Sequence, residues 1–242
     1  MKKVNNFTNQ MKSSAKEIGV ELSLEQITKF YKYYQLLIEW NKKINLTAIT
    51  EISEVISKHF IDSIAILPIL EQGKGLSLLD LGTGAGFPGV PLKIAEPSFK
   101  VDLVDSLRKR TDFLTMLISE LELKEIKAIH SRAEELGKVK EHRENYDVVS
   151  SRAVAKLSIL SEYCLPFVKV GGKFISLKGP KAADEVKEAE QALEELGGKV
   201  QSIKELVLPA TEEKRTILVI EKIKNTPDKY PRKAGIPTKR PL

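Results

Sequence analysis

The stretch from Leu76 to Ala95 joins an apolar strand, a glycine loop and the start of a helix. Leu76–Leu79 is a short apolar run of the kind that fills a buried strand, and Asp80 follows at its end. Three glycines come next at alternate positions: Gly82, Gly84 and Gly86. Glycine lets a backbone approach a ligand closely because it has no Cβ, and the first N–H groups of a helix point back at such a ligand. The stretch therefore predicts a strand–loop–helix pocket for a nucleotide-like molecule.

Two nucleotide classes compete for this loop. The glycines of Gly84-x-Gly86-x-x-Gly89 match the dinucleotide fingerprint, and Asp105 lies about where a ribose-binding acid is expected. However, Pro88 and Pro91 stand where a dinucleotide helix supplies N–H groups to a pyrophosphate, and proline has none. An acid ahead of the glycines, Asp80, suits a cationic amino-acid group instead. The loop resembles the first motif of S-adenosylmethionine (SAM)-dependent methyltransferases, with a dinucleotide-binding module as an alternative.

Apolar strands alternate with amphipathic helices from Leu76 onward, which predicts an α/β fold with a mostly parallel sheet covered on both faces. Strands are expected at 76–80, 100–105, 126–130, 146–150 and 173–178, and then at 199–208 and 215–223 as an antiparallel hairpin. Helices are expected at 90–96, 107–121, 156–166 and 182–197. A mostly parallel seven-stranded sheet that ends in such a hairpin is the Rossmann-like arrangement of class I SAM-dependent methyltransferases.

The first 70 residues predict helices that pack on this sheet. Ser23 and Gln26 form a capping box ahead of an apolar stripe at helical spacing. Ser53 is expected to cap a second helix, and Asp62–Leu70 to form a third that Pro68 interrupts. We expect three parts, namely an N-terminal helical extension (1–72), a methyltransferase domain (73–223) and a basic C-terminal tail (224–242).

Composition excludes several classes of protein. The only cysteine, Cys164, excludes an intrachain disulfide and a multi-cysteine zinc site, and three scattered histidines give little support for a metal centre. The basic start is followed by polar residues, which argues against a signal peptide. The most apolar segment, Ile61–Leu70, is about half the length needed to cross a bilayer. We expect a cytoplasmic monomer with neither a metal nor a membrane partner.

The positive charge is concentrated at the C-terminal end. Seven basic residues against one acidic residue in 222–242 account for the whole formal net charge of +6. One interpretation is a solvated tail that aids solubility. The other is a contact with the phosphate backbone of a nucleic acid, because affinity for a polyanion is built from such charges.

In open α/β sheets the ligand lies beyond the C-terminal ends of the strands. Asp105 follows the second strand and can accept hydrogen bonds from both ribose hydroxyls, while the backbone of Ala133 and Glu134 after the third strand can meet an adenine edge. Arg152 follows the fourth strand. Many methyltransferases of exocyclic amines carry an Asn/Asp-Pro-Pro-aromatic motif at this strand end, and that motif is absent from this sequence. A cation there suits an acceptor that already offers a lone pair. Guanine N7 is such an acceptor, and catalysis then depends on alignment and electrostatics.

These stretches are similar to a known family. The loop 79–92 is very like the first motif of the ribosomal RNA small-subunit methyltransferase G family, also called glucose-inhibited division protein B. The further stretches that are similar to this family are Asn45–Ala48, His59 with Asp62-Ser63, Leu103–Ser106 with Lys109-Arg110, Arg132–Glu134, Ser151–Ala155, Leu177–Gly179 and Tyr230–Pro237. The resemblance covers the chain from about Asn41 to its end.

The resemblance implies SAM-dependent methylation of N7 of one guanosine in a loop of bacterial 16S ribosomal RNA, with S-adenosylhomocysteine as the product. The cofactor-binding residues expected from the loop, the strand ends and the family are Gly82, Gly84, Gly86, Phe87, Asp105, Ala133, Glu134 and Arg152. Arg152 is also expected to position the acceptor. The candidates for contacting the RNA or the 30S particle are Asn45, His59, Arg152, Lys178, Arg232 and Lys233. A SAM-dependent enzyme of a small molecule is the alternative, although such a substrate gives no reason for a concentrated basic tail.

Overall fold

A seven-stranded sheet forms the centre of the computed structural model, which describes residues 2–70, 75–152, 155–180 and 182–242. The strands are β1 (Ser77–Leu81), β2 (Lys100–Asp105), β3 (Ile126–His130), β4 (Tyr146–Ser151), β5 (Val168–Lys178), β6 (Gly198–Val207) and β7 (Lys214–Lys222). Their order across the sheet is β3-β2-β1-β4-β5-β7-β6. Strands β1 to β5 pair in parallel, and β7 pairs antiparallel with both β5 and β6. The predicted Rossmann-like sheet with an antiparallel C-terminal hairpin is confirmed.

Helices cover both faces of this sheet. The N-terminal helices are α1 (Lys2–Glu17), α2 (Leu24–Asn41), α3 (Ile52–Val55) and α4 (Asp62–Ile64), with a π-helical segment at Ile56–Ile61 that makes α3 and α4 continuous. The later helices are α5 (Gly89–Ala95), α6 (Arg108–Glu120), α7 (Ala133–Leu136), α8 (Leu157–Cys164), α9 (Ala182–Glu188), α10 (Glu190–Leu196) and α11 (Ile236–Lys239). The predicted helix 182–197 is therefore two helices, which meet at Ala189. None of the helices in the described ranges is both long and apolar enough to cross a membrane.

The predicted capping box is present at the start of α2. The Ser23 hydroxyl accepts a hydrogen bond from the Gln26 N–H (3.2 Å), and the Gln26 amide oxygen accepts one from the Ser23 N–H (2.8 Å). The predicted cap at Ser53 is wrong, because Glu51 is the N-cap of α3 and its carboxylate accepts from the Ser53 and Glu54 N–H groups. A carboxylate satisfies these donors and also interacts favourably with the positive end of the helix dipole.

The predicted helix Asp62–Leu70 is also wrong in its bounds. The helix that contains Asp62 begins at Ile52 and ends at Ile64. Pro68 lies in a separate 3₁₀ turn, Leu67–Ile69. A proline lacks the N–H that an α-helix interior requires, so the chain turns before it.

Two apolar clusters lie on the two faces of the sheet. The first joins the N-terminal helices to β1 and β2, and it includes Phe30, Phe60, Leu78 and Leu103. The second packs α8 and α10 against the other face. Helix α1, for which no individual helix is predicted, adds buried Phe7, Met11 and Ala15 at four-residue spacing to the first cluster. The expected boundary at residue 72 lies outside the described residues, but the N-terminal helices and the sheet share one core.

Candidate cofactor and acceptor site

The first two glycines of the loop after β1 face open space, and the third does not. All three have positive φ, at +71° for Gly82, +60° for Gly84 and +104° for Gly86. A Cβ added to Gly82 or Gly84 would meet no atom of the described residues within 4 Å. A Cβ on Gly86 would lie 2.8 Å from both the Tyr33 hydroxyl and a Val90 methyl. Gly82 and Gly84 therefore leave room for a ligand, whereas Gly86 lets helices α2 and α5 approach the loop.

Asp80 ties the end of β1 to the loop and to α5. Its carboxylate is fully buried, and one oxygen accepts hydrogen bonds from the Thr83 hydroxyl (2.6 Å) and the Gly89 N–H (2.8 Å). The other oxygen has no hydrogen-bond partner among the described residues. Burial raises the pKa of Asp80 to about 6, although both of these hydrogen bonds lower it. Asp80 thus organises the loop from inside, in contrast to the expected contact with a cationic ligand group.

Helix α2 supports the loop through Tyr33, which the sequence shows only as part of an apolar stripe. The buried Tyr33 hydroxyl donates to the carbonyl of Ala85 at 2.5 Å. Its ring stacks on the ring of Phe87 with centroids 5.4 Å apart, and the His59 ring stacks on Phe87 at 4.5 Å. Phe87, an expected cofactor residue, is 5% exposed, and its side chain packs among other side chains rather than lining the ligand cleft.

A cleft of about 310 Å³ opens beyond the ends of β1, β2 and β4. Four of the expected cofactor residues line it, namely Gly82, Asp105, Ala133 and Glu134. The structure thus brings together residues that lie up to about 50 positions apart in the sequence. In the described ranges, no group of three or more His, Cys, Asp or Glu residues is placed to hold a metal ion.

Asp105 is held in a fixed position at this cleft. One carboxylate oxygen accepts from the Gly84 N–H (3.0 Å) and from the Arg110 guanidinium (3.2 Å), and the other accepts from the Leu107 N–H (2.9 Å). A carboxylate has about four lone-pair sites, so these three bonds leave acceptor capacity for a ribose hydroxyl. Asp105 is not the N-cap of α6, because Leu107 takes that position.

Ala133 and Glu134 begin the short helix α7. The first N–H groups of a helix have no acceptor within the helix. In the described part of the chain, no hydrogen bond uses the N–H of Ala133 or of Glu134. These two donors at the wall of the cleft suit the acceptor atoms of an adenine edge. The Glu134 side chain turns away and accepts from the Gly235 N–H at 3.1 Å.

Arg152 lines a second cavity of about 460 Å³ rather than the first cleft. Its guanidinium donates to the Lys58 carbonyl (2.9 Å) and to Asp62 (3.1 Å), and its Nη2 lies 3.2 Å from Nδ1 of His59. Its Cζ also lies 4.9 Å from the centroid of the Phe87 ring. The neighbouring Ser151 lines the first cleft, so the end of β4 adjoins both cavities. Residues 153 and 154 of the motif that starts at Ser151 lie outside the described residues.

His59 and Asp62 both lie beside the Arg152 guanidinium. Nδ1 of His59 lies 3.2 Å from Nη2 of Arg152 and also 3.2 Å from the Lys58 carbonyl oxygen, while Nε2 lies 2.8 Å from the Thr47 hydroxyl. Burial and the nearby Arg152 cation lower the pKa of His59 to about 3. Asp62 is 3% exposed and also contacts Arg215 at 3.3 Å. Burial raises the pKa of Asp62, while the two guanidinium groups oppose that shift.

The other candidate RNA residues differ in how available they are. Asn45 and Lys233 are exposed. Lys178 lines the second cavity, but its ammonium donates to the Ala155 carbonyl and to Glu185 (2.7 Å). Arg232 forms a two-pronged contact with the buried carboxylate of Glu162.

The basic tail is not a free arm. Lys222 is completely buried and pairs with Glu144 at 3.1 Å. Lys229 pairs with Glu195 at 2.7 Å. Together with Arg232, three of the seven basic residues of this segment are therefore neutralised by acids of the protein body. Sequence composition counts these cations, but it cannot show their partners.

The amino-acid sequence and the fold both match known proteins. Residues 26–217 match the family model of rRNA small subunit methyltransferase G (GidB). A protein called ribosomal RNA small subunit methyltransferase G from Desulforamulus reducens is 56% identical over 99% of this chain and 100% of its own length. One of the same name from Acetivibrio thermocellus is 55% identical over 94% of this chain and 93% of its own. The resemblance stated for the motifs is confirmed.

Among solved structures, TrmN from Thermus thermophilus aligns with a TM-score of 0.53 at 17% identity, over 67% of this chain and 48% of its own. Ribosomal protein L11 methylase from Lactobacillus delbrueckii subsp. bulgaricus aligns with a TM-score of 0.52 at 15% identity, over 69% and 79%. At these identities the likeness shows the fold alone, which is that of class I SAM-dependent methyltransferases.

Proposed function

This chain belongs to the rRNA small subunit methyltransferase G family, and from that membership we propose that it methylates N7 of one guanosine in bacterial 16S ribosomal RNA. SAM is the proposed methyl donor, and S-adenosylhomocysteine is the product. The observation that carries the proposal is a cleft lined by Gly82, Asp105, Ala133 and Glu134 beside a second cavity in which the Arg152 guanidinium contacts Asp62 and His59. An rRNA substrate also implies a cytoplasmic protein, and we propose that it acts as a monomer on rRNA or on the 30S particle.

The residues of the first cleft fit SAM. Gly82 and Gly84 leave open space above the loop, and Asp105 keeps acceptor capacity for ribose hydroxyls. The N–H groups of Ala133 and Glu134 are placed to donate to an adenine edge. When bound there, SAM supplies a methyl group on a positively charged sulfur.

The second cavity suits an acceptor that has no proton to lose. Guanine N7 carries a lone pair and no hydrogen, so its methylation requires no general base. The two groups best placed to act as bases already have partners, because Arg152 donates to the Asp62 carboxylate and Nδ1 of His59 lies between Arg152 and the Lys58 carbonyl, 3.2 Å from each. The cavity therefore offers alignment and positive charge rather than proton transfer.

Arg152 is the proposed positioning residue for the acceptor. A guanidinium has five N–H donors, and within the described residues the hydrogen bonds to the Lys58 carbonyl and to Asp62 use two of them. The remaining donors suit a guanine carbonyl oxygen or a phosphate. His59 and Lys178 line the same cavity, while the exposed Asn45 and Lys233 are proposed to contact RNA outside it.

The test gives the purified protein methyl-labelled SAM together with small-subunit particles, naked small-subunit rRNA and transfer RNA in parallel. We expect label in small-subunit rRNA, either free or in particles. Label in transfer RNA alone, or in no RNA, would contradict the proposal, and the latter result would favour a small-molecule acceptor. Gly84→Val is the negative control. Its branched side chain enters the open space proposed for SAM and should therefore abolish labelling.

A further inference from the structure

The C-terminal segment 226–239 packs against the wall of the cofactor cleft. Helix α7 contributes Ala133 and Glu134 to that wall, and α8 contributes Leu160 and Tyr163. Both helices are short, and α7 has only four residues. Helices of this length are not stable on their own and depend on tertiary contacts. Contacts from elsewhere in the chain must fix this wall.

The segment is anchored by an ion pair between Arg232 and Glu162 of α8. The Glu162 side chain is 1% exposed. It accepts from the Arg232 backbone N–H (2.8 Å), from the guanidinium Nε (2.9 Å) and from Nη2 (2.5 Å). A bidentate guanidinium–carboxylate pair fixes orientation as well as distance. The positive charge of Arg232 is consequently paired with a carboxylate of the protein itself.

From this anchor the segment reaches the residues that line the cleft. The Gly235 N–H donates to the Glu134 carboxylate at 3.1 Å. The Thr238 hydroxyl lies 3.0 Å from the Tyr163 hydroxyl. Pro231 packs so closely on the end of α7 that a Cβ on Gly137 would lie 3.0 Å from its ring. Three independent contacts thus connect the segment to both helices of the wall.

We propose that residues 226–239 form a strap that fixes the adenosine wall of the cleft and thereby sets the affinity for SAM. Glu162 and Arg232 are the positioning pair of this strap, and neither residue lines the cleft. The choice of SAM as ligand rests on the proposed function, whereas the mechanical link between strap and wall does not. The strap explains why the Arg232 guanidinium pairs with a buried carboxylate of the protein instead of facing a phosphate.

The test uses the double variant Glu162→Gln/Arg232→Met, which removes both charges and keeps an amide oxygen that accepts from the backbone N–H of residue 232. A thermal melt of the variant and of the wild type checks that both are folded at the temperature of the binding assay. Arg232→Lys is the second variant, because it keeps the charge and loses the planar fork. Arg240→Met removes a charge from the exposed end of the same tail and serves as the matched control.

We expect the double variant to bind S-adenosylhomocysteine about tenfold more weakly in calorimetry, a loss of about 1.4 kcal/mol. Amide hydrogen exchange of residues 131–138, measured without ligand, should speed up. The KM for SAM should rise while kcat changes little. Arg232→Lys should give a smaller change in the same direction, and Arg240→Met should behave as the wild type.

Unchanged affinity and unchanged exchange at 131–138 in the double variant would overturn the strap. So would weaker RNA binding with unchanged S-adenosylhomocysteine affinity, which would assign Arg232 to the RNA. Faster exchange at 131–138 in a protein whose wild type binds no S-adenosylhomocysteine would support the strap and contradict the proposed function. The two proposals therefore fail in different ways.

Discussion

Asp80→Asn tests how the glycine loop is held together. The Asp80 carboxylate is fully buried, and burial raises its pKa from the ordinary 3.8 to about 6. A group whose pKa is higher in the folded than in the unfolded protein contributes stability below its unfolded pKa and loses it as the pH rises through its folded pKa. Ionised Asp80 therefore costs the fold about 3 kcal/mol above pH 7, from about two pKa units at 1.36 kcal/mol each.

The assay is urea unfolding of the wild type and of Asp80→Asn at pH 5 and at pH 8. Asparagine keeps an oxygen that accepts from Thr83 and Gly89 but does not ionise. From the two pKa values, the stability of the variant relative to the wild type should rise by about 1.4 kcal/mol between pH 5 and pH 8. Any pH-independent cost of the amide cancels in this comparison. An equal difference in unfolding free energy between variant and wild type at pH 5 and at pH 8 would refute the raised pKa of Asp80 and the cost of its buried charge.

Four further substitutions separate the roles of the loop, of α2 and of the second cavity. Asp62→Asn removes the carboxylate that holds Arg152, and a 1 Å shift of that cation should lower kcat about 100-fold, while calorimetry should show unchanged S-adenosylhomocysteine affinity. An equal loss of affinity would contradict the separation of the two cavities. Gly84→Ala should weaken that affinity and cost about 1–2 kcal/mol of left-handed strain in urea unfolding. Gly89→Ala should cost about 1–3 kcal/mol through overpacking against Leu103 and Asp80, and an unchanged free energy of unfolding would contradict the packing seen there. Tyr33→Phe loses the hydrogen bond to the loop, and a thermal melt should show a loss of about 1 kcal/mol; an unchanged melt would contradict it.

The sheet and its strand ends follow from local sequence patterns. Short apolar runs that alternate with amphipathic helices locate the strands. Because ligands lie beyond the C-terminal ends of parallel strands, the residues after those ends, Asp105, Ala133 and Glu134, are then the candidates. The structure brings these three to one cleft with Gly82. These features were predictable because each depends on neighbours in the sequence or on the topology of the sheet.

Contacts between distant segments could not be predicted in the same way. The hydrogen bonding of the two Asp80 oxygens and the close contacts around Gly86 depend on where α2 and α5 pack against the loop. Arg152 meets residues about 90 positions earlier, so its place in a second cavity is a property of tertiary packing. Basic composition likewise left a solvated tail and a phosphate contact as the two interpretations, whereas Lys222, Lys229 and Arg232 pair with acids that are far away in the sequence.

The N7 acceptor can be tested by removing that one atom from the substrate. Small-subunit rRNA is transcribed with guanosine or with 7-deazaguanosine, reconstituted into particles and incubated with the protein and methyl-labelled SAM. We predict labelling of the guanosine particles, with 7-methylguanosine as the only labelled nucleoside, and no labelling of the 7-deazaguanosine particles. Equal labelling of both substrates would show that the methyl group goes to another atom, and it would contradict the proposed base-free transfer in the Arg152 cavity.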